Sequence, residues 1–296
     1  MIAVISHDAG GAEILSSYVS RNKLRYKLIL EGPAVTIFKR KIKNVETIEL
    51  NEALITCDGF LCGSSWQSDL EWQAIKQAKA MKKPVYCFLD HWCNYKERFN
   101  KNGSQELPDE IWVSDTQAKD IALKNFPLAT VKLVKNPYFE DIKDNIKNLQ
   151  LNGQNTESKG CILFVCEPIS EHAEKEYKNP MHWGYTEFTA LDYFLNHIVS
   201  IEKHISKITI RPHPSEKKDK YDYLLDKKNY PIAIGGENNL LEEILKNDII
   251  VGCESMAMII GLIAKRRVIS AIPPEGKDCI LPHPEIEHLK SFIHKH

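Results

Sequence analysis

The sequence has no apolar run that approaches the roughly 20 residues needed to span a bilayer, so it predicts at most a peripheral association with membranes. It also has no surplus of either charge, because 39 Lys and Arg residues face 40 Asp and Glu residues. A net charge of -1 gives no electrostatic support for a nucleic-acid partner. The first residues, MIAVISHDAGG, lack the basic start and the long apolar stretch of a signal peptide. We therefore expect a cytoplasmic protein.

Three short motifs that would point to metals or cofactors are also missing. The eight cysteines include no C-x-x-C pair, which argues against a zinc site and, in a reducing compartment, predicts free structural thiols. No two aspartates are separated by a single residue, so the D-x-D signature of a divalent-metal sugar-nucleotide site does not occur. The G-x-G-x-x-G fingerprint of dinucleotide sites does not occur either. We expect no metal and no cofactor.

What the sequence does contain is a regular alternation of short apolar runs and amphipathic helical stretches. The chain has 296 residues, of which 43% are hydrophobic, and this suffices for two domains. Strands that alternate with helices predict a parallel sheet covered on both faces, which is an α/β fold. In the first half, the predicted strands are 2–6, 26–30, 45–50, 59–63, 85–89, 111–114 and 131–134, and the predicted helices include 69–82 and 116–125.

A polar stretch at 143–159 separates the two halves, and we interpret it as a helix end followed by a flexible linker. The alternation then restarts, so the sequence predicts two Rossmann-like domains, 1–142 and 160–296, that face a cleft. The predicted strands of the second half are 161–165, 207–210, 232–234, 249–251 and 268–270. Its predicted helices are 187–204, 240–246, 255–265 and a last one at 284–296.

The first motif that could carry chemistry is SHDAGGAE at 6–13, directly after the first predicted strand. Ligands of open α/β sheets bind at the carboxyl ends of strands, and Gly10 and Gly11 allow a ligand to approach the backbone closely. Asp8 or His7 could act as a general base toward a hydroxyl group. The alternative is a tight turn in which Asp8 only caps the next helix.

The second motif is DHWCNYKERF at 90–99, also just after a strand. Aromatic rings provide stacking faces, and Asp90, His91 and Arg98 provide hydrogen bonds, which together suit a polyhydroxylated ligand. The alternative is a packed structural loop held by an ion pair between Asp90 and Arg98. The residues alone leave both interpretations open.

The third motif, RPHP at 211–214, follows a strand of the second half. Pro212 and Pro214 stiffen the loop and bias His213 away from helix. A fixed histidine next to Arg211 is suited to binding a phosphate oxygen. A plain proline-rich turn is the alternative.

The fourth motif, GCESMA at 252–257, lies between a predicted strand and a predicted helix. Gly252 lets a ligand approach, Glu254 can accept hydrogen bonds from sugar hydroxyls, and Ser255 at the helix start can bind phosphate. The alternative is that Ser255 simply caps the helix. Glu167, after the first strand of the second half, is a further candidate for contact with the substrate.

In this order, the features resemble those of a compact GT-B glycosyltransferase. RPHP at 211–214 resembles the His-Pro motif of GT-B sialyltransferases and capsule Kdo transferases, and GCES at 252–255 is similar to their later Ser-containing motif. KNPY at 135–138 looks like the segment that closes the first domain in GT-B proteins. The resemblance implies that His213 and Ser255 hold the phosphate of a nucleotide-activated sugar, often a CMP-linked one.

The resemblance also implies a reaction, namely an inverting, metal-independent transfer of a sugar from a nucleotide donor to a glycan acceptor. The setting that it implies is the synthesis of bacterial surface polysaccharide, such as capsule or lipopolysaccharide. Asp8 or His7 would deprotonate the acceptor hydroxyl, and Glu254 and Arg211 would orient the donor.

Other assignments stay open at this point. Asp90 and Glu167 are the next candidates for the general base. A nucleotide-sugar epimerase or hydrolase of the same fold is an alternative enzyme. A third alternative is a protein that binds a nucleotide sugar and catalyses no reaction.

Overall fold

The computed structural model describes residues 1–151, 159–226 and 230–293, which group into two compact units. Unit 1 is Met1–Asp141 and unit 2 is Ile142–His296. In these described ranges, no helix is both long and apolar enough to cross a bilayer. The eight cysteines are free thiols, as their spacing predicts.

Unit 1 is built on a six-stranded sheet in which every neighbouring pair is parallel. Its strands are β1 (Ile2–Ser6), β2 (Tyr26–Leu30), β3 (Gly59–Cys62), β4 (Val85–Phe88), β7 (Glu110–Val113) and β8 (Val131–Leu133), and a separate antiparallel hairpin is formed by β5 (Asn100–Lys101) and β6 (Ser104–Gln105). Their order in the sheet is β2-β1-β3-β4-β7-β8. Ala3, Val4 and Ile5 are fully buried because a parallel sheet is covered on both faces.

Helices connect the strands of unit 1 and pack on its sheet through apolar faces. They are α1 (Ala9–Asn22), α2 (Pro33–Lys41), α3 (Leu50–Thr56), α4 (Leu70–Ala80), α5 (Tyr95–Phe99) and α6 (Thr116–Asn125), and α7 (Pro137–Leu151) begins in unit 1 and ends in unit 2. Leu15 and Val19 of α1 are four residues apart, so they lie on one helix face and pack in the same core cluster as Phe38 of α2. Burial of this face holds α1 against β1.

Unit 2 repeats the plan with a second six-stranded sheet, again parallel in every pair. Its strands are β9 (Cys161–Val165), β10 (Lys207–Arg211), β11 (Ile232–Ile234), β12 (Ile249–Gly252), β13 (Arg267–Ser270) and β14 (Ile286–His288). Their order is β11-β10-β9-β12-β13-β14. The central strand β9 pairs with both β10 and β12, so the segments that follow these three strands leave the same edge of the sheet.

The helices of unit 2 cover this sheet and close its core. They are α8 (Ile169–Tyr177), α9 (Glu187–His197), α10 (Leu240–Leu245), α11 (Met256–Ile263) and α12 (Lys290–Ile293), with short 3₁₀ helices at Ile198–Ser200 and Asp222–Leu224. Phe164 of β9 packs on Phe194 of α9, with 5.1 Å between the ring centroids. Tyr221 is fully buried in the same core cluster.

The α/β fold class, with two Rossmann-like units, is confirmed, and most predicted strands are found within one or two residues of their expected bounds. Burial explains this agreement, because the strands of a parallel sheet are nearly continuous apolar runs. The predicted domain bounds of 1–142 and 160–296 stay predictions. Residues 143–151 of the predicted linker are the end of α7, and residues 152–158 lie outside the described residues.

Two predicted elements are wrong. The predicted strand 45–50 forms only a single bridge, between Thr47 and Leu28, because α3 begins at Leu50 and ends the pairing. Within its described residues, the predicted helix 284–296 is helical only in the four residues of α12, because its first part forms strand β14, where Ile286 pairs with Val268. Buried Ile286 finds its apolar contacts at the sheet edge, while residues 294–296 lie outside the described residues.

Candidate functional site

Each sheet has one place where the direction of strand progression reverses. In unit 1 it lies between β1 and β3, which are neighbours although their connections run to opposite sides. In unit 2 it lies between β9 and β12. The carboxyl ends of strands at such a switch point are the usual ligand sites of open α/β sheets. All four sequence motifs follow strands at these ends or directly beside them.

His7 and Asp8 form a hydrogen-bonded pair at the carboxyl end of β1. The Nδ1 atom of His7 lies 2.7 Å from Oδ1 of Asp8. Asp8 precedes α1 but makes no side-chain cap hydrogen bond, so its carboxylate is directed to the imidazole instead. A carboxylate at Nδ1 fixes the ring and leaves Nε2 to accept a proton, which favours His7 over Asp8 as the base.

Beneath this pair lies Glu71 of α4, which the sequence analysis did not single out. Its side chain is 2% exposed, and its Oε1 accepts the backbone N–H of His7 at 2.8 Å. Among the described residues, no hydrogen-bond partner reaches its Oε2. Burial raises the pKa of Glu71 to about 7, although the hydrogen bond from His7 acts in the opposite direction.

The second motif contains the ion pair of the packed-loop alternative. Arg98 is buried, and its Nη1 lies 2.6 Å from Oδ1 of Asp90 and 2.7 Å from Oγ of Ser64. Its Nε donates to the carbonyl of Cys93 at 3.1 Å. These contacts fold the loop after β4 back onto the end of β3. The guanidinium of Arg98 therefore stabilises the loop itself. Its ion pair holds Asp90 at the carboxyl ends of the strands of unit 1.

The two glycines of the first motif lie against this edge. A Cβ atom on Gly10 would come within 1.9 Å of Oδ2 of Asp90, so only glycine lets α1 start this close to the carboxylate. A Cβ atom on Gly11 would lie 3.2 Å from Cα of Gly63. His91 has its Nδ1 3.3 Å from Sγ of Cys93. The predicted residues of unit 1 are thus brought together around the ends of β1, β3 and β4.

His213 of unit 2 is fixed by its own loop. Ser215 donates its backbone N–H to Nδ1 of His213 at 3.2 Å, and the Oγ of Ser215 lies 2.8 Å from the same nitrogen. Because Nδ1 accepts, the proton of the neutral ring lies on Nε2. Burial lowers the pKa of His213, which keeps the ring neutral near pH 7. Its Nε2–H is a donor with a defined direction, and Pro214 beside it is exposed.

The fourth motif is tied to the end of β9 by Glu167. The Oε1 atom of Glu167 accepts the backbone N–H groups of Cys253 at 3.1 Å and of Glu254 at 2.9 Å. Burial raises the pKa of Glu167 to about 7, with the hydrogen bond from Glu254 acting against it. The carboxylate of Glu254 itself lies 2.6 Å from Nζ of Lys277. Ser255 caps α11 by accepting the N–H of Ala257 at 3.2 Å.

Arg211 belongs to a different group of contacts. Its Nη1 lies 2.7 Å from Oε2 of Glu243 on α10 and donates to the carbonyl of Asn238 at 3.0 Å. The structure therefore brings Glu167, Glu254 and Ser255 together. His213 follows the neighbouring strand β10, while the guanidinium of Arg211 is bound to α10.

One group of carboxylates has the spacing of a cation site. Glu171, Glu187 and Glu216 each place an oxygen within 4.8 Å of the others, in the part of the chain that the structure describes. The ammonium of Lys220 lies among them, 2.9, 2.5 and 2.8 Å from these three residues in turn. The position that a metal ion would take is filled by a lysine.

Comparison with known proteins bears on the fold. No protein-family profile matches the chain, and no curated protein matches it. The structure is similar to UDP-GlcNAc 2-epimerase from Methanocaldococcus jannaschii, with a TM-score of 0.59 and 15% identity over 91% of this chain and 83% of that one. It is similar to the S. aureus MnaA–UDP co-structure, with a TM-score of 0.59 and 12% identity over 91% of this chain and 78% of that one.

A glycosyltransferase is also among the matched structures. The E. coli heptosyltransferase WaaC with ADP-2-deoxy-2-fluoro heptose has a TM-score of 0.47 and 8% identity over 97% of this chain and 92% of that one. The two epimerase structures show the fold alone, and they confirm the GT-B-like α/β class that the sequence predicts.

The buried carboxyl group of Glu71 leads to a prediction about stability. Its pKa of about 7 lies above the value of about 4.3 for an unfolded chain, so the folded state favours the protonated form. That stabilisation is complete below the unfolded pKa and is lost as the pH rises through 7. Relative to wild type, Glu71→Gln should gain about 3 kcal/mol in free energy of unfolding between pH 4 and pH 8.

Urea unfolding at several pH values, followed by tryptophan fluorescence, measures this difference. Glu97→Gln, at an exposed position of unit 1, is the matched control and should show a constant difference from wild type. A Glu71→Gln curve that runs parallel to wild type over this range would contradict the assignment.

Proposed function

We propose that this chain is an enzyme that uses a nucleotide-activated sugar, and that it transfers the sugar to a glycan acceptor in bacterial surface polysaccharide synthesis. The observation that carries the proposal is the fixed His213 after β10, whose neutral ring directs an Nε2–H donor from the carboxyl edge of unit 2. A directed donor of this kind suits a phosphate oxygen.

In this proposal the second phosphate ligand is Ser255 together with the N-terminus of α11, where the helix dipole favours negative charge. Glu254 accepts hydrogen bonds from sugar or ribose hydroxyls, and Lys277, bound to Glu254, brings a positive charge to the same place. Arg211 contributes through its ion pair with Glu243, which holds α10 against β10.

The leaving phosphate is then neutralised by protein groups, so we propose that the transfer needs no divalent metal. In unit 1, we assign the removal of the acceptor proton to Nε2 of His7, with Asp8 orienting the ring. Asp90 and the glycines Gly10 and Gly11 shape the acceptor side, where the hydroxyl-bearing substrate binds. An inverting outcome follows from a single direct displacement of this kind.

A second candidate is epimerisation of a nucleotide sugar. Glu167 favours it, because a carboxyl group with a pKa of about 7 can both accept and donate a proton at neutral pH. The solved structures with a similar fold named above include a UDP-GlcNAc 2-epimerase, which is consistent with this candidate.

Incubation with the donor alone separates the candidates. First, a thermal-shift screen against CMP, UDP, GDP and CDP identifies the base, and the corresponding nucleotide sugars are then incubated with the protein and analysed by NMR. A transferase is expected to leave its donor intact until a glycan acceptor is added. Conversion of the donor to its epimer without acceptor would replace the first candidate by the second.

The donor site gives a prediction about His213. His213→Ala should weaken nucleotide binding by about 1–3 kcal/mol, the contribution of one charge-assisted hydrogen bond, as measured by calorimetry. Ser255→Ala should weaken it as well, and its stability must be measured in parallel because the variant also loses a helix cap worth about 1 kcal/mol.

His204→Ala is the matched control, since His204 is an exposed histidine of the same unit. If nucleotide affinity is unchanged in both the His213 and the Ser255 variants, these residues do not bind the phosphate.

The pair in unit 1 gives a prediction about turnover. With the donor and acceptor in hand, His7→Ala should lower kcat by about 10²–10⁴-fold, the usual contribution of a general base. Asp8→Asn should lower kcat too, because it loses the carboxylate that orients the ring. Nucleotide affinity, a property of unit 2, should stay at the wild-type value in both variants.

Kinetics under saturating donor decide the outcome. If Asp8→Asn abolishes turnover while His7→Ala is normal, Asp8 is the base and His7 its neighbour. Normal turnover in both would exclude the pair from catalysis.

A further inference from the structure

Lys220 is the centre of a charge cluster in unit 2. Its Nζ lies 2.5 Å from Glu187, 2.8 Å from Glu216 and 2.9 Å from Glu171. The side chains of Glu187 and Glu216 are almost fully buried, whereas that of Glu171 is largely exposed. The ring of Phe188 lies 5.3 Å from the ammonium. One positive charge therefore serves two carboxylates that have no access to bulk water.

Glu216 connects this cluster to His213. Its Oε2 accepts the backbone N–H of His213 at 2.7 Å, and its own N–H donates to the carbonyl of His213 at 2.9 Å. Its Oε1 accepts from Nζ of Lys220 and from the hydroxyl of Tyr221, each at 2.8 Å. One carboxylate thus holds the backbone at His213 on one oxygen and is anchored in the core through the other.

Glu187 connects the same ammonium to the start of α8. Its Oε2 accepts the backbone N–H of Ser170 at 2.8 Å, and its Oε1 accepts the hydroxyl of Ser170 at 2.8 Å. Glu187 is the first residue of α9. Lys220 therefore fastens three segments of unit 2 to one another, namely the loop after β10 and the first turns of α8 and α9.

The energetics of the cluster depend on Lys220. Burial alone would lower the pKa of Lys220, but its hydrogen bonds to three glutamates raise it above the usual value. Burial would raise the pKa of Glu187, and hydrogen bonds from Lys220 and Ser170 bring it below the usual value instead. Removing one partner from a buried ion pair leaves a charge without compensation, which is strongly destabilising. Without Lys220, Glu216 loses an anchor on the oxygen opposite His213.

We propose that Lys220 is a positioning residue for His213, acting through Glu216, so that its ammonium sets the direction of the histidine at the donor site. This inference deepens the proposed function and rests on it for the role of His213. The mechanical part, that Lys220 positions His213, stands on the contacts alone.

The first experiment needs no ligand. In ¹⁵N-labelled protein, the imidazole resonances of His213 are assigned by their loss in His213→Ala. We expect Lys220→Met to shift these resonances, while a histidine outside the cluster, such as the exposed His204, keeps its own. Lys290→Met is the matched control, because it removes a paired lysine of the same unit whose partner is Asp278. It should leave the His213 resonances in place.

Lys220→Met leaves three neighbouring carboxylates and could prevent folding, so Glu216→Gln is the second variant. It keeps the size of the side chain and leaves Lys220 with Glu171 and Glu187. Because an amide has only one acceptor oxygen, it can keep either the bond from His213 or the bond from Lys220. We expect the resonances of His213 to shift in this variant also.

The second experiment measures nucleotide affinity by calorimetry in the same variants. Lys220→Met and Glu216→Gln should each raise the Kd about 10-fold, in the range of couplings within one hydrogen-bond network. Unchanged His213 resonances in the folded variants would overturn the positioning role.

Shifted resonances without nucleotide binding to the wild-type protein would instead leave the positioning role intact and overturn the proposed function. Shifted resonances with an unchanged Kd would overturn the claim that Lys220 acts at the donor site.

Discussion

A buried or half-buried glutamate carboxylate holds the backbone of three of the four segments that carry candidate functional groups. Glu71 accepts the N–H of His7, and Glu216 accepts the N–H of His213. Glu167 accepts two N–H groups, those of Cys253 and its neighbour. Where a parallel strand ends, its backbone donors lose their ladder partners, and a buried donor without a partner is costly. A carboxylate satisfies such donors with strong bonds and thereby fixes where the next side chain points.

The three carboxylates differ in how their own burial is compensated. Glu216 has an ammonium and a phenol as partners on its second oxygen. Glu71 has no such partner among the residues that the structure describes, and burial raises the pKa values of both Glu71 and Glu167 to about 7. The His213 loop is therefore held by a fully partnered ion cluster, whereas the other two segments are held by groups that exchange protons near neutral pH. All three glutamates hold backbone N–H groups, but only Glu71 and Glu167 have a pKa near 7.

The sequence predicts the sheets well and the carboxylates poorly, for a physical reason. Apolar runs such as that of β1 are local, so strands and the motifs behind them can be read directly from the chain. Glu71 lies 64 residues from its partner His7, and only its place on the buried face of α4, in line with Ala74 and Ala78, hinted at its role. Lys220 gives only a weak local signal, because Glu216 lies four residues before it but Glu171 and Glu187 meet it only through folding. The predicted strand 45–50 fails for the opposite reason. It was predicted from local sequence alone, but α3 begins at Leu50 and only Thr47 pairs, with Leu28.

The charge balance of unit 2 is compatible with the phosphate site that we propose at an edge with two glutamates. Glu254 is neutralised by Lys277, and Glu167 is only partly ionised at neutral pH because burial raises its pKa to about 7. In the proposed site, the Nε2–H of His213 and the N-terminal end of α11 provide the attraction for the phosphate. As the pH rises above 7, Glu167 gains charge next to the N–H groups at the start of that segment, and the attraction for a phosphate weakens. The donor site that we propose thus depends on Glu167, because burial keeps the pKa of its carboxyl group near 7.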